Sequence, residues 1–176
     1  MTQKGDQKVK ITRVDAAVDP SLKLPDEGYT LEIKGTSAIL RAKTEQGLVW
    51  AKATLAQLKD ENGLVPVVKI KDYPAFPIRG FMHDNGRNYR PVHMLKEDID
   101  LFSSYKLNVF HWHLTDDQGW RVEIKKYPNL VKVGSKRKET IIGRNSISKI
   151  YDGTPHGGYY TQEEIKDIVK YAAERY

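Results

Sequence analysis

Between Leu107 and Trp120 the chain reads LNVFHWHLTDDQGW. An apolar run ends in His111 and His113, and Asp116, Asp117 and Trp120 follow on a short polar loop. Residues two apart in an extended strand share a face, so His111 and His113 point one way and Trp112 the other. Two kinds of chemistry fit that pattern. Two imidazoles at this spacing can give their nitrogens to one metal ion. They can equally belong to a metal-free polar site at the carboxyl end of a barrel strand, binding a carbohydrate or moving protons. The bland alternative is a pair of core histidines bonded to backbone carbonyls. Asp116 and Asp117 add two adjacent carboxylates. Burying both as anions costs repulsion, so the pattern predicts that one carries a raised pKa. Such a pair can exchange a proton or orient a substrate, or it can be an inert, solvated turn.

A second cluster reads His83-Asp84-Asn85-Gly86-Arg87-Asn88-Tyr89. The guanidinium of Arg87 can fork two hydrogen bonds to sugar hydroxyls or a carboxylate, or form a structural ion pair with Asp84 or Asp116. Trp120 offers a flat face for a sugar ring, or an anchor for its loop. Tyr159 and Tyr160, after Gly157-Gly158, read as anchors for the helix that follows.

Both clusters must be positioned by strands. Ile78 to His83 reads as one strand and Leu107 to His113 as a second, its apolar run being of the kind buried on both faces. Between them Pro91 opens a helix in which Val92, Leu95, Ile99 and Phe102 fall at helical spacing. A long Gly-, Lys- and Ser-rich loop spans residues 114–160. It contains the basic run Lys132 to Lys138 (KVGSKRK), read as solvated. Thr161-Gln-Glu-Glu164 is a capping box, and Ile165, Ile168, Val169 and Ala172 supply the buried stripe of its helix. This strand–helix–strand–helix series predicts a parallel sheet with right-handed crossovers. Two such units cannot cover their own sheet, since a closed barrel needs eight. The unpaired edge is a place for self-association.

The first half reads differently. The opening ten residues are polar and are expected to be frayed, and residues 9–18 carry one weak strand at best. Tyr29 to Lys34 and Ala38 to Ala42 form a hairpin, Leu48 to Lys59 a helix, and Val65 to Lys71 an edge strand with Pro66 at its start. The punctuated segment Asp72 to Pro77 (DYPAFP) divides the chain into a small α+β domain over residues 1–74 and an α/β domain over residues 75–176.

Composition bounds the function. Of 176 residues 39% are hydrophobic and 30% charged, which reads as soluble and globular. No run approaches a membrane span, and the start shows no signal peptide. The net charge of +6 is spread among acids, so neither a nucleic-acid nor a membrane partner is expected. The absence of cysteine removes disulfides and thiolate zinc sites, and the compartment is unassigned.

The segments RGFMHDNGRNYRPV, IDLFSSYKLNVFHWHLTDDQGWRVEIKKYPNL and GGYYTQEEIKDIVKYAAERY resemble the β-N-acetylhexosaminidases of glycoside hydrolase family 20. The resemblance is dense from Tyr73 to Tyr176, apart from the loop around Ser135 to Asp152, and FHWHLTDDQGW is its most specific part. The first half looks like the small α+β domain that precedes the family's barrel, starting late within it. The resemblance implies a (β/α)₈ TIM barrel, a site at its carboxyl end, and N-acetylhexosamine-containing glycans as substrates. It implies no metal and no cofactor. The family is a substrate-assisted exception among glycosidases: the sugar's own acetamide oxygen attacks the anomeric carbon with net retention. Arg87 matches the arginine that binds the terminal sugar's hydroxyls. Asp116 matches a supporting aspartate that pairs in relatives with a histidine from a later strand. Asp84, His113, Asp117 and Trp120 fall in the same signature as substrate-binding candidates. Asn88 departs from it, since relatives commonly carry histidine after the arginine.

The family's catalytic Asp-Glu pair follows a Gly-Gly, whereas here Gly157-Gly158 leads into Tyr159. The expectation is therefore an N-terminal fragment, comprising the accessory domain and the first two strand–helix units of an incomplete barrel. It would be inactive alone and come from a secreted or periplasmic exo-glycosidase. The alternative is a non-catalytic sugar-binding or assembly module.

Overall fold

The alternation of Tyr29, Leu31 and Ile33, and of Ala38, Leu40 and Ala42, gives two strands each with one wholly apolar face. They pair antiparallel in the first of two units, Met1–Arg79 with Ser104–Lys106; the second is Gly80–Ser103 with Leu107–Tyr176. The computed structural model describes residues 2–144 and 146–176, with side chains from Gln7 onward. Met1 and Asn145, within the expected frayed start and the expected long loop, lie outside the described residues.

The first unit holds β1 (Thr2–Lys10), β2 (Arg13–Val18), β3 (Tyr29–Lys34), β4 (Ser37–Ala42), α1 (Glu45–Gln57) and β5 (Leu64–Asp72). Its sheet runs β1-β5-β3-β4-β2, antiparallel except for β2 beside β4. Helix α1 begins where the Thr44 hydroxyl accepts from the Gly47 amide, and it lies against β3 and β4 with Leu48, Trp50, Ala51 and Leu55 buried in the shared core. Three expectations are corrected here. The polar start is a strand, because its backbone pairs with β5 from Thr2 opposite Ile70 to Lys10 opposite Leu64. Residues 13–18 form a second strand. And β5 is interior, not an edge: Pro66 lacks an N–H, and the partner register shifts between Lys4 and Lys8, facing it.

In the second unit β6 (Gly80–Asp84) and β7 (Val109–His113) are parallel, as the strand–helix pattern predicts, with α2 (Val92–Ser104) between them in sequence. Phe110 and Trp112 pack on a core of Leu95, Ile99, Tyr160 and Ile168. The opposite face is open. Val109 is 43% and Met82 51% exposed, which corrects the reading of β7 as buried on both sides: helices cover only one face among the described residues. The chain continues through β8 (Thr115–Asp116), β9 (Gly119–Trp120), α3 (Asn129–Lys132), β10 (Lys136–Arg137) and β11 (His156–Gly157) to α4 (Gln162–Ala173). The capping box of α4 forms as expected, Thr161 with Glu164. Its buried stripe is narrower: Ile168 is buried and Ile165 and Ala172 pack beside it, but Val169 is 61% exposed. No described helix is long and apolar enough to cross a membrane.

The long loop of residues 114–160 is organised around Arg121, which is 1% exposed. Its Nε donates to the carbonyls of Asn85 (3.1 Å) and Gly86 (3.3 Å), and its Nη1 to those of Ser135 (2.5 Å) and Gly158 (3.0 Å). Backbone carbonyls thus take the place of a counter-ion, and burial lowers the guanidinium pKa. Gly119 is required here, because a Cβ would run into the Arg121 guanidinium and the Gly86 carbonyl. The basic run is accordingly not a purely solvated loop: Ser135 is buried and Arg137 partly so. Of the two tyrosines read as anchors, Tyr160 is one, buried with its hydroxyl donating to the Arg90 carbonyl at 2.5 Å, whereas Tyr159 is exposed.

Candidate active site

The register of β6 and β7 sets Asp84 opposite His113, each the last residue of its strand. The chain then turns tightly, and the amides of Asn85 and Gly86 both donate to the His113 carbonyl at 2.9 Å. A Cβ on Gly86 would sit 3.2 Å from Asp116 Cβ and 3.3 Å from His113 Cδ2, so a side chain there would press the first loop a few tenths of an ångström away from the second. Asn85 is fully buried. Its side chain accepts from the Trp112 indole at 2.7 Å and donates to the Asn88 carbonyl at 3.1 Å, locking both loops to the core.

On this frame Arg87 faces two carboxylates. Its Nη1 donates to Asp84 Oδ2 at 2.5 Å, its backbone amide to Asp84 Oδ1 at 3.0 Å, and its Nη2 lies 3.1 Å from Asp116 Oδ2. The guanidinium side chain remains 53% exposed, so donors are left for a ligand. Partial burial opposes ionisation of Asp84, but the bonds from Arg87 outweigh it and hold its pKa below the ordinary value. Asp116 Oδ2 also lies 2.9 Å from His113 Nε2, and its Oδ1 accepts from the Asp117 amide at 2.8 Å. Chiefly through His113, the Asp116 pKa falls to about 2. The expectation of a raised pKa in the Asp116–Asp117 pair is therefore corrected for Asp116: donors surround it, so it is a fixed anion. Because that carboxylate only accepts, His113 Nε2 is the donor of the pair.

Asp84, Arg87, His113 and Asp116 are thus brought into one cluster. Asp117 and Trp120 stand beside it. They line an open cavity of about 700 Å³ with Tyr127, Leu130 and Val133, which reaches Asp116 but not Arg87. Trp120 is fixed there by its indole N–H, bonded to the Val122 carbonyl at 2.7 Å. His111 shares the exposed face of β7 with His113, their ring centroids 6.4 Å apart and planes at 71°. Among the described residues no group of three or more His, Cys, Asp or Glu side chains is arranged to hold a metal.

Four residues have roles that the sequence did not assign: Arg121 and His156, Asn85 within the first cluster of site residues, and Arg137 within the basic run read as solvated. Arg137 donates to the Arg87 carbonyl (2.6 Å) and the Asn88 Oδ1 (3.1 Å), and His156 Nε2 accepts the Tyr89 amide (3.0 Å). Mostly they serve backbone atoms, so no side-chain motif announces them. The one available signal was Arg121, a charge set between Trp120 and Val122 directly after a strand-end loop.

Comparison with known proteins bears on this cluster. Residues 76–176 match the family model described as glycosyl hydrolase family 20, catalytic domain, and residues 2–73 match that of glycosyl hydrolase family 20, domain 2. The chain is 43% identical over 169 residues to a beta-hexosaminidase of Porphyromonas gingivalis, covering 90% of this chain and 20% of that protein. It is 44% identical over 154 residues to a beta-hexosaminidase of Vibrio furnissii, covering 85% of this chain and 25% of that one. Among solved structures, a beta-N-acetylhexosaminidase superposes with a TM-score of 0.85 at 34% identity, over 99% of this chain and 36% of its own. The exo-beta-N-acetylglucosaminidase of Vibrio harveyi, solved with N-acetylglucosamine, gives 0.79 at 38% identity, over 92% and 26%. The chain therefore spans only a fifth to about a third of the proteins it resembles.

Proposed function

Because this chain belongs to glycosyl hydrolase family 20, we propose that residues 1–74 form the accessory α+β domain and residues 75–176 the first two strand–helix units of the family's (β/α)₈ barrel. The protein that carries them is an exo-glycosidase releasing terminal β-linked N-acetylglucosamine or N-acetylgalactosamine. Its hydrolysis is retaining and assisted by the substrate: the 2-acetamido oxygen attacks the anomeric carbon, an aspartate orients that acetamide, and the adjacent glutamate is the acid and base. No Gly-Gly-Asp-Glu stands in these 176 residues, so their part is to bind and orient the sugar. The open face of β6 and β7, with Met82 and Val109, is where further barrel strands pack.

The observation that carries this reading is Arg87, held by Asp84 and Asp116 at the carboxyl ends of two parallel strands with half its side chain exposed. A guanidinium so held offers its remaining N–H groups in a fixed direction, which suits a pair of ring hydroxyls. Asp116 serves as a permanent anion: with a pKa of about 2 it holds no proton to give near neutral pH. It accepts from His113 and keeps Arg87 in place. Trp120 and Asp117 border the adjoining cavity as candidates for contacts with the rest of the glycan.

The test is an assay of the whole gene product that includes these residues, on nitrophenyl β-glycosides of N-acetylglucosamine and of glucose. Turnover of the acetamido sugar alone is expected. Arg87→Ala should then lower kcat/KM on the order of 10- to 100-fold, since a hydrogen bond from a charged group contributes about 1.5–3 kcal/mol. Equal turnover of the glucoside, or an unaffected Arg87→Ala protein, overturns the reading. Binding of N-acetylglucosamine without cleavage would instead favour a non-catalytic sugar-binding module.

A further inference from the structure

We infer that Arg137 is a positioning residue for Arg87, acting through the backbone and through Asn88; the kinetic half of this inference rests on the function proposed above. Arg137 is fifty residues from Arg87 in sequence, yet its guanidinium spans the gap between the two site loops. Nη1 donates to the Arg87 carbonyl at 2.6 Å, and at the longer distance of 3.5 Å to the Gln118 carbonyl beside Asp117. Nη2 donates to Asn88 Oδ1 at 3.1 Å, and Nε to Thr140 Oγ1 at 2.8 Å. One rigid plane therefore holds the Arg87–Asn88 peptide to the loop after β7 and to its own turn. A planar fork does this and an ammonium cannot, since the acceptors lie in different directions.

The peptide it holds is clasped from the other side as well. Strand β10 pairs with β11, Arg137 opposite His156, and His156 Nε2 accepts the amide of Tyr89. The Asn85 side chain takes the Asn88 carbonyl. Three consecutive residues, Arg87 to Tyr89, thus have their backbone direction set by side chains from elsewhere in the second unit. The backbone at Arg87 decides where its side chain begins, and Asp84 and Asp116 decide where it ends. Releasing the first would let the guanidinium follow its carboxylates and leave the direction in which its free N–H groups point undefined.

Asn88 then acquires a reason. Its amide oxygen is the acceptor for Arg137. Arg137 and Asn88 work as a pair, and changing either loosens the same peptide.

The experiment compares Arg137→Lys, Arg137→Ala and Asn88→Ala in the whole protein. Should Arg137→Ala fail to fold, Arg137→Lys and Asn88→Ala still decide the matter. The first readout needs no activity: the side-chain Nε resonance of Arg87 by ¹⁵N NMR, with hydrogen exchange of the amides of residues 87–89. All three variants should shift or broaden that resonance and speed that exchange. An unchanged Arg87 signal overturns the proposal, whether or not the protein cleaves any sugar. The second readout is a cycle with Arg87→Ala. Arg137→Lys should lower kcat/KM on the order of tenfold when Arg87 is present, within the ~100-fold that a misplacement of about 1 Å can cost, and mostly through KM because Arg87 is proposed to bind the sugar. In the Arg87→Ala background the same change should cost less than about twofold, because there is nothing left to position. An equal loss in both backgrounds means general structural support and overturns it. If the wild type cleaves no N-acetylhexosaminide, the function proposal falls and the NMR result alone decides this one.

Discussion

The two units are built on opposite principles. The first buries a continuous apolar core, Tyr29, Leu31, Leu40, Trp50 and their neighbours, between a five-stranded sheet and one helix, and it contains none of the five histidines. The second has a smaller apolar core of Leu95, Ile99, Tyr160 and Ile168, leaves one sheet face exposed, and orders the long loop of residues 114–160 around a buried arginine. Its structure depends on polar groups finding polar partners. That is costly when a partner is lost, because a buried acceptor without a donor keeps its desolvation penalty. It also places charged and titratable groups at strand ends with fixed directions, which an apolar core cannot do. The lesson is a division of labour: one unit is held together by area, and the other by connectivity that doubles as a site.

The sharpest test of that contrast removes one piece from each. Arg121→Met nearly keeps volume but leaves the carbonyls of Asn85, Gly86 and Gly158 without the donor described for them, while that of Ser135 keeps the Gly158 amide. At about 1–3 kcal/mol for each buried acceptor, the expected loss is on the order of 4 kcal/mol or more, reduced wherever water enters. Leu40→Ala, at a wholly buried position in β4, should cost about 2–5 kcal/mol from lost burial and the cavity left behind. Hydrogen exchange read by peptide should show residues 84–90 losing protection in Arg121→Met, and residues 29–42 in Leu40→Ala. If each substitution deprotects both segments equally, the units share one cooperative transition, and the contrast describes composition but not stability.

What could be read from sequence follows the same division. The hairpin of β3 and β4, helix α1 and the α4 capping box are legible because their signals are local: alternation, helical spacing, and Thr161 three residues before Glu164. Strand β1 was not, because TQKGDQKVK has one apolar residue, Val9, and is held by backbone pairing to β5. The interior place of β5 was hidden by Pro66, since the irregularity that accommodates it lies in a partner sixty residues away. Within the site, the types and the shared face of His111 and His113 were legible, and so was the pairing of Arg87 with Asp84 and Asp116 as one of two readings. The sign of the Asp116 pKa shift was not. Adjacency to Asp117 suggested repulsion, while the deciding group is His113, whose ring donates across the turn. Arg121 and Arg137 serve mostly carbonyls, which every residue has, so their partners leave no trace in the sequence.

A smaller effect should separate the units by pH. His156 and His83 both have depressed pKa values. For His156 the causes are burial, then the charges of Arg137 and Arg121; for His83 burial leads, with Arg90 adding to it against Asp98. Their folded forms favour the neutral ring, whereas the unfolded chain titrates near ~6.5. The stability they contribute is therefore complete above that value and is lost as pH falls from it through the folded pKa values. At His156 the mechanism is visible: a protonated Nε2 can no longer accept the Tyr89 amide. Exchange protection at residues 84–90, corrected for intrinsic rates, should fall between pH 7.5 and 5 while that of residues 29–42 holds. Asp84 and Asp116, with pKa values below the ordinary carboxylate value, stay ionised across that range. Equal losses in the two segments would remove the histidines as the cause.

The smallest expected effect is close to none, and it probes how far the second unit's apolar core extends. Helical spacing assigns Val169 to the buried stripe of α4 together with Ile165, Ile168 and Ala172. Ile168 is buried on Leu95, Ile99 and Tyr160, but Val169 turns out to solvent, 61% exposed. A 100° step per residue is enough to carry the next side chain off a stripe this narrow. Val169→Lys should therefore change the urea midpoint by no more than the ~0.5 kcal/mol typical of surface sites, and the better helix propensity of lysine acts in its favour. Ile168→Ala, one residue away, should cost about 2–5 kcal/mol. A large loss from Val169→Lys in the whole protein would mean that this position is covered there, and that the second unit has an apolar contact beyond the core described for it.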